Sequence, residues 1–150
     1  VDMREEMLAL AQQSGVYFTV NAVNDDVCKK ILSLTGGHMA DSCAYFVGSG
    51  MPLQSVCDYT ATRGKIAVIG RYAENALSCN VGELIEKRLD LFTVTDCGKN
   101  YSSAINLLAN KTVNVDLLHA EPIPFDKAVE VYERLSSGAE DGSLKTLIKI

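Results

Sequence analysis

The stretch Lys65-Ile66-Ala67-Val68-Ile69-Gly70 decides the fold. It is a short, near-continuous hydrophobic run, and such runs suit a strand covered on both faces, as in a parallel sheet. Upstream, Pro52 fits a first helical position, and Leu53, Val56, Cys57 and Thr60 follow at helical spacing. Before it, Ser42 to Val47 reads as an apolar strand running into Gly48-Ser49-Gly50. Asn24-Asp25-Asp26 offers caps for a helix with a Val27, Ile31, Leu34 stripe, stopped by Gly36-Gly37. Val16 to Val20 is β-branched and aromatic, hence a strand. Arg4 to Ser14 reads as a helix with Met3, Met7, Leu10 and Ala11 on one face and Gly15 as its stop. Downstream, Ala76 to Asn80 reads as a short edge strand, Val81 to Lys87 as a helix and Leu89 to Thr95 as a strand. Tyr101 to Ala109 is a helix, and Pro122-Ile123-Pro124 is extended because proline biases itself and its predecessor away from helix. Asp126 is expected to cap a helix carrying Ala128, Val131, Tyr132 and Leu135, with Gly138 as its stop and Leu144 to Ile150 as a last strand. Strands alternating with helices mean an α/β fold with a mostly parallel sheet.

The 150 residues are 47% hydrophobic and 22% charged, a globular composition rather than a disordered or collagen-like one. A chain of this size buries roughly 70% of its unfolded surface, enough for a core without disulfides. No apolar run approaches the ~20 residues of a membrane span. The acidic start, Val1-Asp2-Met3-Arg4-Glu5-Glu6, does not read as a signal peptide. Net charge is −5, and no Lys/Arg cluster exceeds two residues, which argues against a nucleic-acid partner. The five cysteines include no close pair, and His38 and His119 have no neighbouring ligand types, so the expectation is reduced thiols in a cytoplasmic protein and no metal bound by these residues.

In open α/β sheets, ligands bind at the carboxyl ends of strands. Those ends are Asp2, Val20-Asn21, Val47-Gly48, Ile69-Gly70 and Thr95-Asp96. An acid at a strand tip can accept hydrogen bonds from a ribose diol, and its charge opposes a 2′-phosphate. The competing reading is that Asp2 only caps the following helix; position alone leaves both open. Gly48-Ser49-Gly50 and Gly70 admit a close backbone approach or simply make turns. Arg71 is either a phosphate contact or an exposed loop residue. No Gly-rich phosphate loop and no Ser/His/Asp arrangement is readable.

The order of these pieces resembles the C-terminal part of the medium-chain dehydrogenases, the zinc-dependent alcohol and polyol dehydrogenase family. The resemblance runs through Val1-Asp2, Leu8 to Gly15, Leu34-Thr35-Gly36-Gly37-His38-Met39-Ala40-Asp41, Gly48, Arg63-Gly64-Lys65 through Gly70, and Ile123-Pro124-Phe125-Asp126-Lys127-Ala128. It covers essentially the whole chain. Departures from the family pattern are Met7, Tyr45, Arg63 and Phe92-Thr93-Val94.

The resemblance implies a partial Rossmann-type, doubly wound, mostly parallel sheet with a C-terminal return helix and strand. Residues 1–115 would form the NAD-binding domain without its first strand and Gly-rich loop, and 116–150 a segment returning to a catalytic domain. Asp2 would bind the adenosine ribose, with Met3 and Arg4 beside the adenine. Phe46, Val47, Ile69, Gly70, Arg71, Val94 and Asp96 fall where the family lines its nicotinamide pocket. The implied cofactor is NAD rather than NADP, the substrate a small alcohol or polyol, and zinc would sit in the parent enzyme, outside these residues. Leu77 to Asn80 falls where family members pair edge strands, implying a homodimer or homotetramer. In the 3-2-1-4-5-6 strand order, a central strand is missing between the strands ending at Asp2 and Val47, so the chain is expected to be part of a longer enzyme.

Two alternatives remain at this stage. An S-adenosylmethionine-dependent methyltransferase also suits an acid at a strand tip; it predicts an antiparallel final strand pair and no return helix at Lys127 to Leu135. A non-catalytic nucleotide-sensing module would keep the fold without the chemistry.

Overall fold

The computed structural model describes residues 1–46, 52–70, 78–95, 98–113, 115–118, 121–137 and 146–150. Contacts divide the chain into two compact units. The first holds Val1–Met3 and Thr19–Tyr101, the second Arg4–Phe18 and Ser102–Ile150.

The first unit is built on three parallel strands, β1 (Ala40–Tyr45), β2 (Thr60–Ile69) and β3 (Asp90–Val94), in the order β1-β2-β3. Helix α3 (Leu53–Asp58) links β1 to β2, and α4 (Val81–Lys87) links β2 to β3. Pairings such as Tyr45↔Val68 and Ile69↔Val94 bring the carboxyl ends of the strands side by side. Helix α2 (Val27–Leu34) starts at Asp26, whose carboxylate accepts from the Lys29 N–H at 3.0 Å. The parallel alternation expected from the sequence is present.

The core is a cluster of Tyr45, Leu53, Val56, Cys57, Tyr59, Ile66 and Val68. Ile66, the middle of the decisive run, is fully buried. Each of its aliphatic members contributes roughly 1.5–3 kcal/mol by leaving water. Thr60 is also buried, and its hydroxyl donates to the Val56 carbonyl at 2.6 Å, tying the end of α3 to the start of β2.

β2 begins five residues earlier than expected. Thr60 pairs with Ala40, but Ser42 already pairs with Lys65, so the intervening residues bulge. Arg63 takes a positive φ of 64° there. Gly64 is fitted by contact: a Cβ would lie 2.5 Å from Thr60 Cγ2 and 2.7 Å from the Ala61 carbonyl oxygen. Thr60 therefore belongs to the strand and not to the helix, and Pro52 is the N-cap of α3 rather than its first helical residue.

The expected strand over Val16 to Val20 is reduced to one parallel bridge between Asp2 and Asn21. The Asp2 N–H donates to the Val20 carbonyl at 3.2 Å, and the Ala22 N–H to the Asp2 carbonyl at 3.0 Å. Val1-Asp2 offers that segment a partner one bridge long, too little for a ladder. Ser78 to Asn80 form no strand. The Asn80 side chain instead accepts from the Gly82 N–H at 2.9 Å and caps α4. Ala76 and Leu77 lie outside the described residues.

The second unit contains α1 (Glu5–Gln13), α5 (Tyr101–Ala109, whose first residue belongs to the first unit), α6 (Ala128–Ser136), and the short strands β4 (Ile123–Pro124) and β5 (Ile148–Lys149). β4 and β5 are parallel, with Ile123 opposite Ile148. Asp126 does not cap α6: Phe125–Lys127 form a 3-10 turn, and Lys127 stands at the N-cap. The fixed φ of Pro124 starts that turn directly, so the helix begins after Asp126. No helix among the described residues is long and apolar enough to cross a membrane.

Candidate functional site

Asp2 is half-buried at the end of its short pairing with Asn21. Asn21 is buried and turns the chain away from the strand end. Its Oδ1 accepts from the Val23 N–H at 2.8 Å and the Asn24 N–H at 3.3 Å, while its own N–H donates to the Asp25 carboxylate at 3.2 Å. This turn leaves Ala22 beside Met3. The helix after Asp2 has Arg4 at its N-cap position.

Met3 and Ala22 line a cleft of about 290 Å³ with Val27 and Cys28 from α2 and Pro52 and Ser55 from the start of α3. Asp26, Asp58 and Tyr59 complete it. Met3, Val27 and Pro52 supply its apolar walls. Lys29, through a side-chain bond and a 2.8 Å ion pair, holds the Asp26 carboxyl below its ordinary pKa. Burial pushes the Tyr59 hydroxyl up to about 12, and burial followed by the Asp58 charge raises the Cys28 thiol. At neutral pH the phenol and thiol are therefore uncharged. Two carboxylates and no basic side chain line the cleft among the described residues. Such a lining suits an uncharged ring or diol better than a phosphate.

Sequence reading had found Met3 here but not Ala22, Pro52 or Ser55 as walls. The available signal was positional: Ala22 follows a strand-end residue, and Pro52 opens the helix after the next strand.

A second group gathers at the carboxyl ends of β1, β2 and β3. Phe46 follows β1 and is exposed. Ile69 pairs with Val94, and the Gly70 N–H donates to the Val94 carbonyl at 2.9 Å. Gly70 has a φ of 114°, a conformation that any other residue would hold only under strain. The structure thus brings Phe46, Ile69, Gly70 and Val94 together on adjacent strand ends. Val47, Arg71 and Asp96 lie outside the described residues. Val1 and Phe46 share a cleft of about 250 Å³ with Cys43, Tyr45 and Tyr59, along the edge of β1 that pairs with no other strand among the described residues.

Among the described residues, no group of three or more His, Cys, Asp or Glu side chains could hold a metal ion. The methyltransferase alternative predicted an antiparallel final pair and no helix over Lys127 to Leu135. The pairings are parallel, and α6 occupies that segment.

The profile of a family described as zinc-binding dehydrogenase matches residues 1–110. A sorbitol dehydrogenase of Rattus norvegicus is 27% identical over 154 residues, covering 99% of this chain and 41% of that protein. Among solved structures, a short chain alcohol dehydrogenase from Escherichia coli in complex with NADH matches with a TM-score of 0.83 at 14% identity, covering 99% of this chain and 43% of that one. An Escherichia coli quinone oxidoreductase in complex with NADPH matches with a TM-score of 0.74 at 22% identity, covering 97% and 47%. These likenesses show a Rossmann-type α/β fold. The chain spans about two fifths of the length of the curated relatives it matches (41% of that sorbitol dehydrogenase).

Proposed function

The chain belongs to the zinc-binding dehydrogenase family, and on that premise we propose that it supplies the cofactor-binding part of an NAD-dependent alcohol or polyol dehydrogenase. One observation carries the reading. Asp2 ends a parallel strand pairing, and its neighbour Met3 opens directly into an apolar cleft with an acidic rim.

In this proposal Asp2 accepts hydrogen bonds from the adenosine ribose, and its charge disfavours a 2′-phosphate. The adenine lies between Met3 and Ala22 on one side and Pro52 and Ser55 on the other. The nicotinamide end lies over the strand ends at Phe46, Ile69, Gly70 and Val94, with Val47, Arg71 and Asp96 as further contacts. When bound, the nicotinamide ring supplies the hydride-exchange chemistry. The chain's own residues bind it, orient it and shield it from water. Zinc, in this proposal, is held by the parent enzyme outside these residues.

We assign residues 1–115 to the cofactor-binding portion and 116–150 to a segment packing against a catalytic domain. The edge of β1, unpaired among the described residues, and the cleft beside Val1 support a further strand at that place. A small alcohol or polyol as substrate, a cytoplasmic site of action, and a dimer or tetramer joined near Leu77 to Asn80 complete the proposal.

An NMR titration of the protein with NAD tests the placement. The backbone amides of Met3, Ala22, Ser55 and Gly70 should shift together. A titration that moves none of them, or only signals of the second unit, overturns it.

A further inference from the structure

Helix α3 does more than wall the adenine cleft. Pro52, Ser55 and Asp58 recur every three residues along the side that lines it. Gln54 lies on another side and engages three groups with one carboxamide. Its Nε2 donates to Asp58 Oδ1 at 2.6 Å and to a carboxylate oxygen of Glu83 on α4. Its Oε1 accepts from the Asn80 N–H at 2.7 Å, at the cap of α4. Only an amide meets this set, because two of the partners are carboxylates that need a donor and the third is an N–H that needs an acceptor. Asp58 belongs both to this junction and to the cleft.

We propose that Gln54 is a positioning residue for the adenosine half of the cofactor. It locks α3 against α4, so that Pro52 and Ser55 keep the spacing from Met3 and Ala22 that a flat base requires. This rests on the cofactor reading given above. Gln54 itself touches no ligand and acts through α3. Replacing it with glutamate sets three carboxylates against one another, and replacing it with methionine keeps the stem while removing the amide.

The experiment is calorimetric titration of the protein with AMP and with nicotinamide mononucleotide, alongside melting temperatures. In Gln54→Glu and Gln54→Met, AMP affinity should fall about ten-fold, the scale of a lost charge-assisted bond, while nicotinamide mononucleotide affinity stays within about two-fold. Gly64→Ala is the control, because it strains the bulge of β2 and touches neither the α3–α4 junction nor the cleft. It should lower the melting temperature yet leave AMP affinity unchanged. The inference is overturned if both Gln54 variants keep full AMP affinity, if both mononucleotides weaken equally, or if Gly64→Ala weakens AMP as much. Failure of the unsubstituted protein to bind AMP or NAD overturns the cofactor reading itself, and this inference with it.

Discussion

Lys87 is the most exposed test of how the first unit is held together. Its ammonium reaches from α4 to the end of α3 and donates to the Cys57 carbonyl at 2.8 Å and the Asp58 carbonyl at 3.0 Å. It also pairs with Glu83 at 2.8 Å. Those carbonyls belong to the last turn of α3, where a helix has no acceptor-satisfying donors of its own and a cation is favoured. Lys87→Met keeps the packed stem and removes all three bonds. A bond to a charged group is worth about 1.5–3 kcal/mol when buried, and an exposed ion pair under about 1 kcal/mol. The Lys87 and Glu83 side chains are 27% and 22% exposed, so the loss should lie between these limits, near 2 kcal/mol in total by the same scale. Urea unfolding followed by circular dichroism measures it: the midpoint falls by about 1 M with the slope unchanged. The pH dependence has a definite sign. Lys87 first, then Gln54, holds the Glu83 carboxyl below its ordinary pKa. A depressed carboxylate stabilises the fold above its unfolded value, and that contribution is lost as pH falls through the folded one. The Lys87→Met penalty should therefore shrink in acid to the part due to the two carbonyls. A penalty below about 0.5 kcal/mol at neutral pH, or one that grows in acid, refutes this account of the α3–α4 junction.

Gly64→Ala should destabilise the first unit by about 2 kcal/mol or more, because the new methyl would meet backbone as well as side chain at less than 3 Å. Thermal unfolding measures it; a neutral effect would mean that the bulge at Arg63-Gly64 relaxes freely.

The limits of α4 and α5 could be read directly from the chain, although Asn80 reads as the end of an edge strand and in the structure caps α4 instead. β2 was only half legible. Arg63-Gly64 looks like a turn between helix and strand, yet the pairing of Thr60 with Ala40 extends the strand past it as a bulge. Val16 to Val20 has strand composition but only a single bridge to pair with, and pairing is a tertiary fact that propensity does not contain. At the candidate site, Asp2 and Gly70 stood out because their places at strand ends restrict what they can do. Ala22, Ser55 and Gln54 did not stand out, since each is an ordinary residue in its own segment. They come together only when α2, α3 and α4 are packed around the sheet.

The central claim rests on Asp2, and its most direct test compares NAD and NADP binding by the protein and by Asp2→Asn. The account predicts that the protein prefers NAD, and that the variant binds NAD about ten-fold more weakly while NADP binding holds or improves, since the opposing charge is gone. Unchanged NAD affinity with an unchanged NAD-to-NADP ratio in Asp2→Asn would contradict it.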